Sequence, residues 1–498
     1  YSSSSNYTIN IGNFSSCINF TEGNRIYLLS KNIVDNSNQN CFNFLANNIT
    51  FDCQNYSVQG IGAGSAVYSS GFNKHTIRNC EFINWSYGIN LYDSDNIIIE
   101  NINANVTTGI YVQYSNFYKI SNVTTRNPLG NGGYGIYFRN SGFVNLSNIY
   151  VFDHSYGLSF YSSSNNTLYN ITANNNNNYG VYFSSSSNNT LTDIVTNNNP
   201  GSGIYFTSSS NNSLTNIVIY NASGHSGIRL YNSNYNILRN IDISNTRYSG
   251  IWMQNANNHI IENIQIDDYA NAGAYNAIAM YYCSKNNIVS NATFSNGYWG
   301  VGLNFCDEPY NANLTFEKMV FTGISASFSI GWSGSSVSNV TLRDISSNAG
   351  YYLMYNNNNK NHVLINVTFG GSESTVRSGS DLTRKWYYQA YVNDTDDNLV
   401  VANVSAWDVS GDLAFSEMSS EATGYTTRQE LIEYVSNGGT KTIYNNYTIN
   451  VTNNTYAPES RSHNLTIERN IVEVFTLGLH KPDCTSYPGA YSGNGAVG

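Results

Sequence analysis

The sequence predicts an all-β protein: a parallel β-helix of about 13–15 coils, then a small β-sandwich. Three observations carry this. A phrase of glycine, aliphatic, often aromatic and apolar residue returns every 21 to 27 residues. The intervening text is dense in Asn, Ser, Thr, Tyr and Ile, which is strand-and-turn chemistry. Near residue 370 the repeat stops and a different strand pattern begins.

The phrase appears as Gly88-Ile89, Gly109-Ile110-Tyr111-Val112, Gly135-Ile136-Tyr137-Phe138, Gly157-Leu158-Ser159-Phe160, Gly180-Val181-Tyr182-Phe183 and Gly203-Ile204-Tyr205-Phe206. It continues as Gly227-Ile228-Arg229-Leu230, Gly250-Ile251-Trp252-Met253, Ala277-Ile278-Ala279-Met280 and Gly300-Val301-Gly302-Leu303. A copy this short has no core of its own, so copies must stack. A leucine-rich frame is absent, and a propeller needs copies of about 40 residues. Strand alternation sends Ile136 and Phe138 inward and Tyr137 outward. The glycine suits a tight corner entering the strand. A second strand follows in each copy, as in Thr190-Leu191-Thr192-Asp193-Ile194. Runs such as Ser184 to Asn189 and Ser208 to Asn212 read as polar turns.

In chain order the text divides into an N-terminal arm and cap (1–40), the β-helix (41–370), a Ser/Gly linker (371–384), a β-sandwich (385–478) and a tail (479–498). Trp386 to Val392, then Asn393-Asp394-Thr395-Asp396-Asp397-Asn398, then Val404 to Val409, reads as strand, turn, strand. The three aspartates in that turn read as a solvated acidic turn, with calcium binding as the lesser alternative.

The chain carries 22 Lys and Arg against 32 Asp and Glu, and only 11% of its residues are charged. An ordinary soluble domain is about 25% charged. No basic stripe offers itself to nucleic acid, and no apolar stretch is long enough to span a bilayer. The chain opens at Tyr1 and reads as a processed, extracellular or cell-surface protein.

Of the seven cysteines, Cys283 and Cys306 share one repeat position, and Cys53 and Cys80 share another. Register therefore predicts disulfides Cys53–Cys80 and Cys283–Cys306, with Cys17–Cys41 near the cap and Cys484 unpaired. Stacked free thiols are the alternative. The Asn-x-Ser/Thr matches number 24. Asn165, Asn188 and Asn211 recur at one repeat position, and Asn122, Asn145 and Asn170 read as a second in-phase series. With Asn221, Asn291, Asn339, Asn366, Asn403 and Asn446 they are the expected N-glycan acceptors, occupied in part or alternately. Amide ladders along the helix coexist with that expectation.

Leu45 to Gln54, the upstream Cys41-Phe42-Asn43 and the Gly-Ile-Tyr repeats resemble archaeal surface β-helix repeat proteins. These belong to the right-handed parallel β-helix group with NosD-like and pectate-lyase-like relatives. The segment after 385 resembles carboxypeptidase-regulatory-like, immunoglobulin-like modules. The first resemblance covers about residues 15–370 and implies a fold, since this fold hosts lyases, hydrolases, adhesins and structural proteins alike.

Catalytic patterns are faint. Gly224-His225-Ser226-Gly227 echoes a polygalacturonase neighbourhood only in part, and His225 reads as a turn residue. Asp93, Asp153, Asp193, Asp242 and Glu262 read as scattered over different coils without a paired neighbour. Zinc-ligand spacing, a phosphate loop and a nucleophile elbow are absent, so no cofactor is expected. The outward column Tyr111, Tyr137, Tyr182, Tyr205 and Trp252, interrupted by Ser159 and Arg229, reads as a surface strip that stacks on itself, binds glycan or makes an interface.

Three functions follow, in order. The first is a non-enzymatic structural glycoprotein that joins its own copies into a filament or surface layer. Its terminal segments, where Tyr7, Ile9 and Ile11 alternate with polar residues, would supply added strands, or else fold on their own coils. The second is an adhesin that takes external polysaccharide on the strip. The third is a polysaccharide lyase or glycoside hydrolase.

Overall fold

The computed structural model describes residues 11–480, except 36, 38, 131, 270–274, 283, 305–309, 332–335, 349–351, 355–356 and 371–375. Cys283–Cys306, Cys484, residues 1–10 and the tail from 481 therefore lie outside the described residues. Every regular element described is a β-strand. The chain forms two compact units, 1–362 with 367–380, and 363–366 with 381–498.

The first unit is the parallel β-helix. Among the described residues one sheet stacks 15 short strands, including Thr108–Gln113, Tyr134–Arg139, Tyr156–Tyr161, Val181–Ser184, Ile204–Thr207, Ile228–Tyr231 and Ile251–Gln254. Parallel pairing starts early, with Ile11–Phe14 against Arg25–Leu29 and Ile18–Phe20 against Phe42–Phe44. Much of the expected cap is thus coil itself.

The second strand of each coil is longer and bent. In Ile97–Asn105 the buried residues are Ile97, Ile99, Ile102 and Ala104, so the alternation resets between 99 and 102. Asn101 sits at the reset with φ 55. Asparagine tolerates this left-handed conformation because its short polar side chain bonds locally. Asn122, Asn148, Asn170, Asp193, Asn216, Asn240, Asn263 and Asn291 repeat the bend with positive φ. The recurring Asn-Ile pair inside the second strands, as in Asn170-Ile171 and Asn216-Ile217, is this corner.

The interior is filled by stacked side chains. Phe138, Phe160, Phe183 and Phe206 lie ring over ring at 5.3, 4.6 and 4.9 Å. The repeat glycine is required for a different reason from the one expected. Gly135 has no positive φ; a Cβ there would lie 2.0 Å from Val151 Cγ1 and 2.6 Å from the Gly157 carbonyl oxygen. Close approach between coils excludes a side chain.

The polar turns also run deeper than alternation suggests. Ser163, Ser186, Ser209 and Asn166, Asn189, Asn212 are fully buried. Each serine Oγ accepts the backbone N–H of the serine one coil earlier, as in Ser163 N to Ser186 Oγ at 2.9 Å. Asn166 N and Nδ2 both donate to Asn189 Oδ1, at 3.0 and 2.9 Å. The disulfides Cys17–Cys41 and Cys53–Cys80 join neighbouring coils near the N-terminal end.

The second unit is a small sandwich. Leu413–Met418, Asn403–Trp407, Tyr447–Thr452 and Glu459–His463 form an antiparallel sheet. Asp381–Asp394 pairs antiparallel with Gln429–Asn437 and parallel with Ile471–Leu477. Trp386, Tyr388, Val404, Ile449 and Phe475 share the core between the two sheets. The first strand begins at Asp381, inside the segment expected as linker.

Candidate functional site: an aromatic face on the short-strand sheet

Register places the outward residues of the short strands in one column. Tyr111 pairs with Tyr137, Tyr137 with Ser159, Ser159 with Tyr182, Tyr182 with Tyr205, Tyr205 with Arg229, and Arg229 with Trp252. The rings are half-buried. Tyr111 stacks on Tyr137 at 4.9 Å, and Tyr182 meets Tyr205 at 5.3 Å. Contact between rings covers part of their faces, and the Tyr111 phenol oxygen accepts from Gln113 Nε2.

A second column, not foreseen, flanks the first. Tyr134, Tyr156 and Tyr179 precede their repeat glycines. Tyr134 stacks on Tyr156 at 5.3 Å, and Tyr156 reaches Tyr182 at 5.9 Å, so the step at Ser159 is bridged. Ser159 itself is 2% exposed. The signal was present as the tyrosine before glycine in three consecutive copies. Burial raises the phenols of Tyr111 and Tyr182 above the ordinary range, and pushes Tyr137 up to about 12.

Arg229 sits inside this face. Its guanidinium carbon lies 4.7 Å from the Tyr205 ring centroid and 4.6 Å from that of Trp252. His225 Nε2 accepts from its Nη1 at 3.5 Å. Burial, then the nearby guanidinium, lower the His225 pKa. His225 is therefore a turn residue with a specific neighbour.

A groove of about 700 Å³ lies along the bent strands, lined by Asp193, Asn216, Asp242, Asn263, Gln265 and Thr293 among others. Burial and then Asp267 raise the Asp242 pKa. Asp242 thus has an electrostatic neighbour, contrary to the reading of scattered carboxylates. Residues 242 and 267 lie on paired strands two positions out of register. The 23-residue register pairs Asp242 with Gln265 and leaves Asp267 two positions further along the same strand face, so a search for carboxylates at identical repeat positions passes it over. Glu262 pairs with Arg239 and Asp153 with Arg126.

The glycan acceptors separate by environment. Asn165, Asn188, Asn211, Asn145 and Asn446 are exposed. Asn122, Asn170, Asn221 and Asn339 donate Nδ2 to Asn101, Asn148, Asn198 and Asn313 at 3.1, 2.8, 2.9 and 3.4 Å, and Asn291 donates to Asn263. Asn403 donates to Ser405 Oγ at 3.0 Å. Asn366 lies in Lys360–Thr368. Asn145 is out of phase with Asn122 and Asn170: it pairs with Lys119 and Thr167, and Asn148 takes the ladder position. Asn122 and Asn148 are 26 residues apart because their coil carries the loop around Pro128–Gly133, so a 23-residue count stops short.

In the second unit, Asp394 Oδ1 accepts from the backbone N–H groups of Asp396 and Asn398, both at 2.9 Å, and Oδ2 accepts from Tyr456 Oη at 3.1 Å. The bonds from Asn398, followed by the others, hold its pKa low. This carboxylate organises its turn.

A family model described as periplasmic copper-binding protein (NosD) matches residues 103–299. The described residues do not fit a copper centre: no group of three or more His, Cys, Asp or Glu comes together. His154 and His259 are buried apart, each bonded to backbone. No curated protein matches the chain. Among solved structures it is similar to the mannuronan C-5 epimerase A-module of Azotobacter vinelandii, at 15% identity and TM-score 0.43, covering 64% of this chain and 90% of that one. A tailspike protein of E. coli bacteriophage HK620, in complex with a hexasaccharide, is similar at 10% identity and TM-score 0.39, covering 91% and 86%. DFA-IIIase from Arthrobacter chlorophenolicus A6 is similar at 7% identity and TM-score 0.36, covering 61% and 88%.

Proposed function

We propose that this chain is an extracellular β-helix protein that binds polysaccharide along its aromatic face. The observation that carries the reading is the aromatic column from Tyr111 to Trp252, in which Tyr156 bridges the step at the buried Ser159 and Arg229 lies between Tyr205 and Trp252. Ring edges give apolar contact to sugar C–H groups, and phenol oxygens exchange hydrogen bonds with sugar hydroxyls. A repeat of about 4.8 Å per coil presents these groups as a line, which suits an extended chain. Disulfides between adjacent coils support an oxidising compartment. Among the described residues no helix is long and apolar enough to cross a membrane.

A glycan array with the full chain tests this, with Tyr205→Ala and Trp252→Ala as controls. Retained binding in both variants, or no binding by the wild type, removes the reading.

Self-assembly into a filament or surface layer is the second reading. Among the described pairings, Ile11–Phe14 and Ile18–Phe20 are bonded along one edge only. Open edges accept added strands. Negative-stain images showing only compact monomers would count against it.

A further inference from the structure

The aromatic face is cationic, although the chain as a whole has net charge −10. The eight strands Thr108–Gln113, Tyr134–Arg139, Tyr156–Tyr161, Val181–Ser184, Ile204–Thr207, Ile228–Tyr231, Ile251–Gln254 and Asn276–Tyr281 contain no Asp or Glu. They contain Arg139 and Arg229, and Arg247 lies beside Tyr248 with its guanidinium 5.7 Å from the ring. Asp193, Asp242 and Asp267 are on the bent strands of the other sheet.

Arg25 meets the carboxylate of Glu22, Arg78 that of Asp52, Arg126 that of Asp153, Arg239 that of Glu262 and Arg461 that of Glu473, while Arg139 and Arg247, like Arg229, lie over rings on the aromatic face. Among the described residues Arg229 has no carboxylate. Its Nε, and Nδ1 of His225, are out of solvent without a hydrogen-bond partner. A guanidinium stays charged at any ordinary pH, and one that has no carboxylate of its own is suited to pair with an external anion. The rings of Tyr205 and Trp252 hold the guanidinium in place, so little freedom remains to be lost on binding.

We propose that Arg229, with His225 beside it, is an anion subsite in the polysaccharide face, and that the bound chain is an acidic polysaccharide. The subsite rests on the reading of that face as a polysaccharide-binding surface. It takes a carboxylate or a sulfate ester carried by a sugar. Arg229 pairs with the anionic oxygens, while the flanking tyrosines contact the neighbouring sugars.

The test is equilibrium binding of the full chain to polygalacturonate, a sulfated galactan and neutral dextran, for wild type, Arg229→Gln and Arg229→Lys. Circular dichroism and thermal melts confirm folding. The expected result is tighter binding of one anionic chain than of dextran. Arg229→Gln should weaken that chain by about tenfold and leave dextran within about twofold, with Arg229→Lys between them. Whichever anionic arm responds identifies carboxylate or sulfate as the source. Equal binding of charged and neutral chains overturns the subsite but leaves the polysaccharide reading standing. So does an anionic preference that folded Arg229→Gln retains. No binding to any arm overturns both.

Discussion

Asn216 donates its side-chain amide to Asp193 Oδ1 at 2.9 Å, one coil away, and receives the amide of Asn240 on its own Oδ1 at 3.0 Å. The same residue holds φ 57 at the strand bend. One side chain thus serves the backbone corner and the link between coils. Asn216→Ala should destabilise by about 2 kcal/mol, combining the left-handed cost with the lost bonds. Asn216→Gly should recover the conformational share only. Chemical denaturation of the three proteins separates the two; equal stability of Ala and Gly variants would show that φ contributes nothing.

The buried serine column predicts a second cost. Ser186 Oγ accepts from Ser163 N at 2.9 Å and donates to the Ser184 carbonyl at 2.8 Å. Ser186→Ala leaves an N–H inside the coil stack without an acceptor. The expected loss is about 1–3 kcal/mol, measured by denaturant midpoint. An unchanged midpoint would mean that water or backbone movement replaces the bond.

Acid should weaken the β-helix through its buried histidines. Burial pushes the pKa values of His75, His154 and His259 down to about 4 from 6.5. The unfolded chain takes up these protons first, so stability is whole above pH 6.5 and is lost as pH falls toward 4. Each site contributes about 2 kcal/mol of loss by pH 5. His259 occupies a column between Asn236 and Asn287, accepting from Asn236 N at 3.0 Å and donating its backbone N–H to Asn287 Oδ1 at 2.8 Å. His259→Asn should therefore fit the ladder and make the pH dependence shallower by that amount. A parallel pH profile in the variant would refute the assignment.

Glycan occupancy should follow side-chain engagement. Transfer replaces an Nδ2 hydrogen, and Asn122, Asn170, Asn221, Asn291 and Asn339 use Nδ2 inside ladders. Asn145, Asn165, Asn188, Asn211 and Asn446 are exposed acceptors. Asn165, Asn188 and Asn211 stack in register at about 4.8 Å, so neighbours should not both be filled. Intact glycopeptide mass spectrometry of protein from its native source checks this. Ladder sequons filled ahead of the exposed ones would contradict it.

Much of this architecture was legible because a coil is short and local. The repeat Gly-Ile-Tyr-Phe fixes which residues face in, and its register alone brings Cys53 to Cys80 and Tyr182 to Tyr205. What could not be read were relations depending on coil length and on depth. The longer coil around Pro128–Gly133 moves Asn145 out of the ladder and Asn148 into it. Asp242 and Asp267 influence each other across paired strands, yet they occupy repeat positions two residues apart, so matching identical positions does not reveal them.

The sequence by itself determined the parallel β-helix, its inward aliphatic and phenylalanine stacks, and the outward tyrosine column, because alternation and a near-constant period leave one way to bury the apolar residues. Only the tertiary structure decided which polar residues go inside. Ser186 and Asn189 are buried while Asn188, between them in the same polar run, is exposed. A buried serine or asparagine is tolerable only when the next coil supplies its partner, and that partner is set by stacking. The same holds for Arg229, whose cation lies between Tyr205 and Trp252 because three successive coils place it there.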